Sequence, residues 1–115
     1  MTIVVLRQSR RQAMDKVEPQ KLVGPVIRSM DQEIIEALLM AIAEDNPDAE
    51  LFYEDHGGYV RIHTPWRCRV TRESMEAALG RSFRLPELEP ALSAFAGRMR
   101  SVGDEALEWY LERED

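Results

Sequence analysis

The sequence predicts an α+β domain with a mostly antiparallel sheet and helices packed on it. Three observations carry this. Short β-branched or alternating segments recur along the chain. Between them lie segments whose apolar residues return at helical spacing. A two-glycine turn, His56-Gly57-Gly58, joins two of the strand segments into a hairpin. The 115 residues suit one domain, and 44% hydrophobic against 31% charged side chains supplies one core.

Residues 1–21 read as a flexible basic arm, because 7–21 are polar and show no clear period. Ile3–Leu6 is the exception, a β-branched run able to pair with a sheet edge or a partner. Residues 22–115 read as a single α+β domain. Val23–Arg28 is β-branched, and Gly24-Pro25 marks it as an edge strand or extended lead-in. Ser29 and Gln32 have capping-box spacing, and Ile34, Ile35, Leu38, Leu39 and Ile42 then form a helical stripe. That helix runs from about Asp31 to Glu44 and stops at Asp45-Asn46-Pro47.

Leu51–Glu54 and Tyr59–Thr64 are the hairpin strands. Tyr59, Arg61 and His63 are expected on the solvent side, with Val60 and Ile62 opposite. Pro65 breaks the run, and Trp66–Val70 alternates again. Thr71 caps a second helix that ends at Gly80. Leu85-Pro86 opens a third. Ala94–Met99 and Ala106–Leu111 are closing strands about a turn at Ser101–Asp104, although the last segment also suits a short helix.

Charge and composition exclude several functions. Residues 1–22 carry five basic and two acidic side chains, whereas residues 23–115 carry ten basic and nineteen acidic. An acidic body repels phosphates and anionic lipid, so neither nucleic acid nor membrane is an expected partner. No run approaches the ~18 apolar residues of a membrane span, and no signal peptide is legible, which points to the cytoplasm. One cysteine, Cys68, cannot build a disulfide framework or a Cys-rich metal module.

Groups able to do chemistry are sparse. His56, His63 and Cys68 match no standard zinc spacing, and no Glu-x-x-His pair is present for a diiron site. No base lies beside a Ser, Thr or Cys nucleophile, and Gly57-Gly58 opens no phosphate loop. The expectation is a protein with no catalytic, cofactor-binding or metal-binding residues, acting by binding.

Five segments, in order, carry a resemblance over about 75 residues: Val23–Arg28 (VGPVIR), Asp45-Asn46-Pro47, Tyr59–Ile62 (YVRI), Thr71–Phe83 (TRESMEAALGRSF) and Leu88–Gly97 (LEPALSAFAG). Together they are similar to the coupling, or effector, proteins of soluble diiron multicomponent monooxygenases, nearest the toluene and alkene/isoprene branch. Departures are the long basic arm, Pro65 with Trp66-Arg67-Cys68, and Pro86 and Pro90, which shorten the third helix.

The resemblance implies the monooxygenase regulatory protein fold, a βαββ half beside a βααββ half. It implies a cofactor-free regulatory subunit, monomeric when free, that binds a diiron hydroxylase. A Rieske ferredoxin and an NADH reductase feed that hydroxylase electrons in aromatic or alkene hydrocarbon catabolism. The subunit would tune oxygen activation, substrate access and the coupling of NADH use to hydroxylation or epoxidation.

On this reading Asn46, Pro47, Tyr59, Arg61 and Arg69 are expected to contact the partner. Each has a plainer explanation: Asn46 ends a helix before proline, and the others are solvated turn or strand residues. Two further readings compete. One is a small-molecule-sensing, ACT-like regulatory module with Val23-Gly24-Pro25 as its strand–helix junction. The other is an enzyme using His63 and Cys68.

Overall fold

The computed structural model describes residues 2–7 and 21–112. The strands are β1 (Thr2–Arg7), β2 (Leu22–Arg28), β3 (Leu51–Asp55), β4 (Tyr59–Pro65), β5 (Arg67–Thr71), β6 (Leu92–Ala96), β7 (Arg98–Val102) and β8 (Ala106–Tyr110). The helices are α1 (Gln32–Asp45) and α2 (Arg72–Leu79), with one 3₁₀ turn at Leu85–Leu88. A five-stranded sheet has the order β1-β3-β4-β2-β6, and a three-stranded sheet has the order β5-β8-β7. Every ladder is antiparallel.

From β2 onward the order is a βαββ half, then β5, α2, the 3₁₀ turn, a strand bent into β6 and β7, and β8. The expected third helix is therefore a single 3₁₀ turn. Pro86 suits its first turn, and Pro90 has no N–H to continue the pairing, so only single turns closed by Ala91 and Leu92 follow.

Alpha-helix α1 buries Ile35, Ala37, Leu38, Ala41 and Ile42, whereas Ile34 and Leu39 of the expected stripe are half-buried at its border. They join Val23, Ile27, Val60 and Ile62 of the larger sheet and Cys68, Val70, Leu107 and Trp109 of the smaller in one core. Met75 of α2, Phe83 and Leu88 belong to the same core. The Ser29–Gln32 capping box does not form. Asp31 is the N-cap without a side-chain cap bond, and Gln32 Nε2 donates to the Ser29 carbonyl instead. The second helix is capped as expected: Thr71 Oγ1 accepts from Ser74 N–H at 3.1 Å, and Gly80 closes it in the left-handed conformation.

Three further segments bear on the expected strand order. Within the expected arm, Thr2–Arg7 pairs with β3 and becomes one edge of the larger sheet, the sheet-edge pairing open to the β-branched run Ile3–Leu6. Residues 8–20 lie outside the described residues. Strand β2 is internal rather than an edge, paired to both β4 and β6. Proline is tolerated there because Gly24 and Pro25 have no register partners on β4. Finally, the last segment is the expected strand, whereas Ala94–Met99 is divided between β6 and β7 and the turn lies at Gly103–Glu105 rather than Ser101–Asp104. Burial within β8 is continuous from Ala106 to Trp109, so tertiary contacts override the helix propensity of its Ala, Leu and Glu.

The chain changes sheet at two corners. Trp66, between β4 and β5, has φ 67°, an uncommon conformation for a side chain of its size. Its N–H donates to Lys21 O at 2.8 Å and its carbonyl accepts from Leu111 N–H at 3.0 Å. The Lys21 ammonium lies 4.8 Å from the Trp66 ring centroid. Gly97, between β6 and β7, has φ 91°. A Cβ there would lie 2.7 Å from Val23 Cγ1 and 2.9 Å from the Tyr110 carbonyl. Gly97→Ala is therefore expected to cost about 2 kcal/mol or more, from backbone strain plus overlap. Chemical denaturation checks this, and an unchanged midpoint would show that the corner has slack.

Candidate functional site

The end of α1 supplies two side chains to the free edge of β5. Asn46 Oδ1 accepts from Arg69 N–H at 3.0 Å, and Asn46 Nδ2 donates to the carbonyls of Arg69 at 2.7 Å and Ile42 at 2.8 Å. The Asp45 carboxylate accepts from Thr71 N–H and from the Ser74 hydroxyl, each at 2.7 Å. Thr64 Oγ1 donates to the Arg67 carbonyl at 2.6 Å. A bare strand edge leaves such groups unpaired, and here side chains stand in for the missing strand. Asn46 is half-buried with its amide turned inward, while Pro47 is exposed.

The register of the three-stranded sheet places Arg67, Arg69, Glu108, Tyr110, Arg98 and Arg100 on one face. Glu108 lies at its centre with its side chain only 2% exposed. Its carboxylate accepts from Arg67, from Arg69 Nη1 at 3.1 Å, and from Arg100 Nε at 2.8 Å and Nη2 at 2.7 Å. Burial pushes this carboxyl up. Hydrogen bonds and charge from Arg67 and Arg100 outweigh that and hold it below the usual carboxylate range. Arg98 pairs with Glu112 at 2.8 Å, and the Arg100 guanidinium sits 4.8 Å from the Tyr110 ring centroid. The shared carboxylate fixes one side of each of three guanidinium groups, while the Arg67 and Arg100 side chains stay more than half exposed.

A second cluster lies on the larger sheet. Tyr59 stacks on His56 with centroids 4.6 Å apart and 11° between planes. His56 Nε2 is 2.8 Å from Glu54 Oε1, and Arg61 is 5.9 Å from the Tyr59 ring centroid. His56 is thus a bonded, half-buried residue rather than a free turn residue. His63 was expected in solvent but is buried at 3% exposure. Desolvation, then the Arg61 charge, push its pKa down to about 4, against opposing effects of Glu54 and the Gly24 backbone.

The five expected contact residues thus fall into two groups. Asn46, Pro47 and Arg69 form one junction, and Tyr59 and Arg61 form part of the hairpin cluster. Glu108 and Asp45 were not foreseen as organisers. The visible signal for Glu108 was the arginine alternation at Arg67, Arg69, Arg98 and Arg100 around an acidic residue within an apolar strand. Cys68 is fully buried and desolvation pushes its thiol up to about 12, so it stays protonated. Among the described residues, no group of three or more His, Cys, Asp or Glu is placed to hold a metal ion.

Comparisons with known proteins converge. A profile described as the MmoB/DmpM family matches residues 21–110. The effector subunit of an alkene monooxygenase system from Xanthobacter autotrophicus is 48% identical over 91 residues, covering 79% of this chain and 87% of that protein. Two structures of a phenol hydroxylase–regulatory protein complex contain similar chains. One is 30% identical with a TM-score of 0.65, covering 79% of this chain and 99% of that one. The other is 31% identical with a TM-score of 0.60, covering 77% and 98%. The soluble methane monooxygenase regulatory protein B, 21% identical with a TM-score of 0.60 and covering 84% and 70%, shares the fold.

Two outcomes test the geometry. Asn46→Ala leaves Arg69 N–H and C=O without their partner and is expected to cost about 1–3 kcal/mol in denaturant unfolding. A neutral result would mean that water substitutes for the amide. The second concerns pH. Unfolded chains take up a proton near the ordinary histidine pKa of 6.5, which folded His63 refuses until about 4. Its contribution is full above 6.5 and is lost as pH falls toward 4, by up to about 3 kcal/mol. His63→Gln should flatten that part of the stability–pH curve, and an unchanged slope would assign it to other groups.

Proposed function

Because the chain belongs to the MmoB/DmpM family, we propose that it is the effector subunit of a multicomponent monooxygenase and acts by binding the hydroxylase component. The extended identity to an effector subunit of an alkene monooxygenase system carries this reading, and it favours a small unsaturated hydrocarbon as the substrate of the whole system. The residues support a binding role. The lone thiol is buried and protonated, and the buried imidazole is neutral at pH 7.

A protein of this kind alters a partner by preferring one of its shapes, since equal affinity for two shapes shifts nothing. A coupling free energy of roughly 1–3 kcal/mol changes the balance about 5- to 150-fold. An interface of about 800 Å² on each side suffices. In this reading the favoured hydroxylase shape admits oxygen and hydrocarbon when electrons arrive from NADH through a reductase and a Rieske ferredoxin. Pro47, Tyr59, Arg61 and Arg69 contribute contacts, and Asn46 acts from behind by positioning Arg69. The free chain is monomeric and works in the cytoplasm.

Titrating the chain into its hydroxylase with the electron-transfer proteins present should raise product formed per NADH until saturation. A flat response across the titration would overturn the proposal. The competing ACT-like reading predicts instead that a small metabolite raises the melting temperature of the chain alone.

A further inference from the structure

The two edges of the three-stranded sheet are treated differently. On β5, the outward groups of Arg67, Arg69 and Thr71 are taken by Thr64, Asn46 and Asp45. In an antiparallel ladder, a residue's N–H and C=O point to the same side, and successive residues alternate. Arg69 points away from β8, so its register partner Glu108 points toward β7 and bonds Arg100. Met99 and Ser101 therefore direct their N–H and C=O groups outward from β7. Among the described residues nothing accepts or donates there, and all five residues of β7 are exposed.

The flanks of this edge differ in chemistry. One side carries Arg98 and Arg100, on the face that also holds Arg67 and Arg69. On the other side a cavity of about 330 Å³ opens beneath the strand, lined by Leu85, Leu88, Leu92, Met99, Ser101 and Leu107 among others. The hairpin tip beyond holds Asp104 and Glu105, the latter 3.6 Å from Arg72.

We infer that the outer edge of β7 accepts an added strand from a partner protein, with carboxylates on the side facing Arg98 and Arg100 and aliphatic side chains on the side facing Met99 and the cavity. The partner is the hydroxylase, an assignment that rests on the effector reading above. A second copy is a poor occupant, since antiparallel β7–β7 pairing would set arginine opposite arginine, either Arg100 against its own duplicate or Arg98 against the copy's Arg100.

Residue-resolved amide exchange, with and without saturating hydroxylase, tests this. In the free chain, the Met99 and Ser101 amides should exchange fast and that of Arg100 slowly. In the complex, the first two should slow at least tenfold. Ser101→Pro removes an outward donor while leaving the β8 ladder intact. It should melt near the parent temperature and bind hydroxylase roughly tenfold more weakly. Arg98→Glu, whose parent side chain pairs with exposed Glu112, should weaken binding in a salt-dependent way. Hydroxylase binding with both amides still fast would overturn the strand proposal and leave the effector reading intact. No binding at all would remove the effector reading and the named occupant with it. Concentration-dependent protection in the chain alone would assign the edge to a second copy and overturn the proposal.

Discussion

Two adjacent side chains at the end of one helix hold the small sheet to the rest of the protein. Asn46 terminates α1 by bonding Ile42 and completes the edge of β5 by bonding both backbone groups of Arg69. Asp45 takes the next amide of that edge and the first hydroxyl of α2, with its charge near the positive end of that helix. Three strands of five residues each would make a marginal sheet in isolation. Its stability is borrowed from α1 through these bonds and from the Trp109 and Cys68 packing beneath.

Glu108 shows a different economy. A buried carboxylate costs several kcal/mol to desolvate and is weak grounds for stability even when paired. Its evident effect here is order. One carboxylate fixes the planes of Arg67, Arg69 and Arg100, so a flexible set of cations becomes a patterned surface. Pre-arranged arginines lose less side-chain freedom when a partner arrives. The hairpin cluster achieves something similar by stacking, with His56 holding Tyr59 and Glu54 holding His56.

Much of this was legible in the sequence where local chemistry decides. The apolar stripe of α1, the Thr71 and Gly80 caps, and the His56-Gly57-Gly58 hairpin each follow from the residues themselves. What was not legible depends on neighbours distant in the chain. Pro25 suggested an edge, but the missing donor falls in a gap of the β2–β4 ladder. His63 alternates with Tyr59 and Arg61 as an outward residue would, yet it is buried where they are only partly so. Asn46 before proline suggested a helix end or a partner contact, and nothing local reveals that Arg69, 23 residues away, awaits it. The site residues were thus found by position more readily than by role.

The corners at Trp66 and Gly97 bear on how such a body exerts force. Trp66 is bonded to the start of β2 and to the end of β8, and Gly97 wedges its backbone between Val23 and Tyr110. Both corners are clamped between the start of β2 and the end of β8, which leaves neither of them free as a joint between the sheets. A block clamped in this way, meeting a malleable surface, behaves like a die: the deformation, and its energetic cost, falls on the surface it is pressed against.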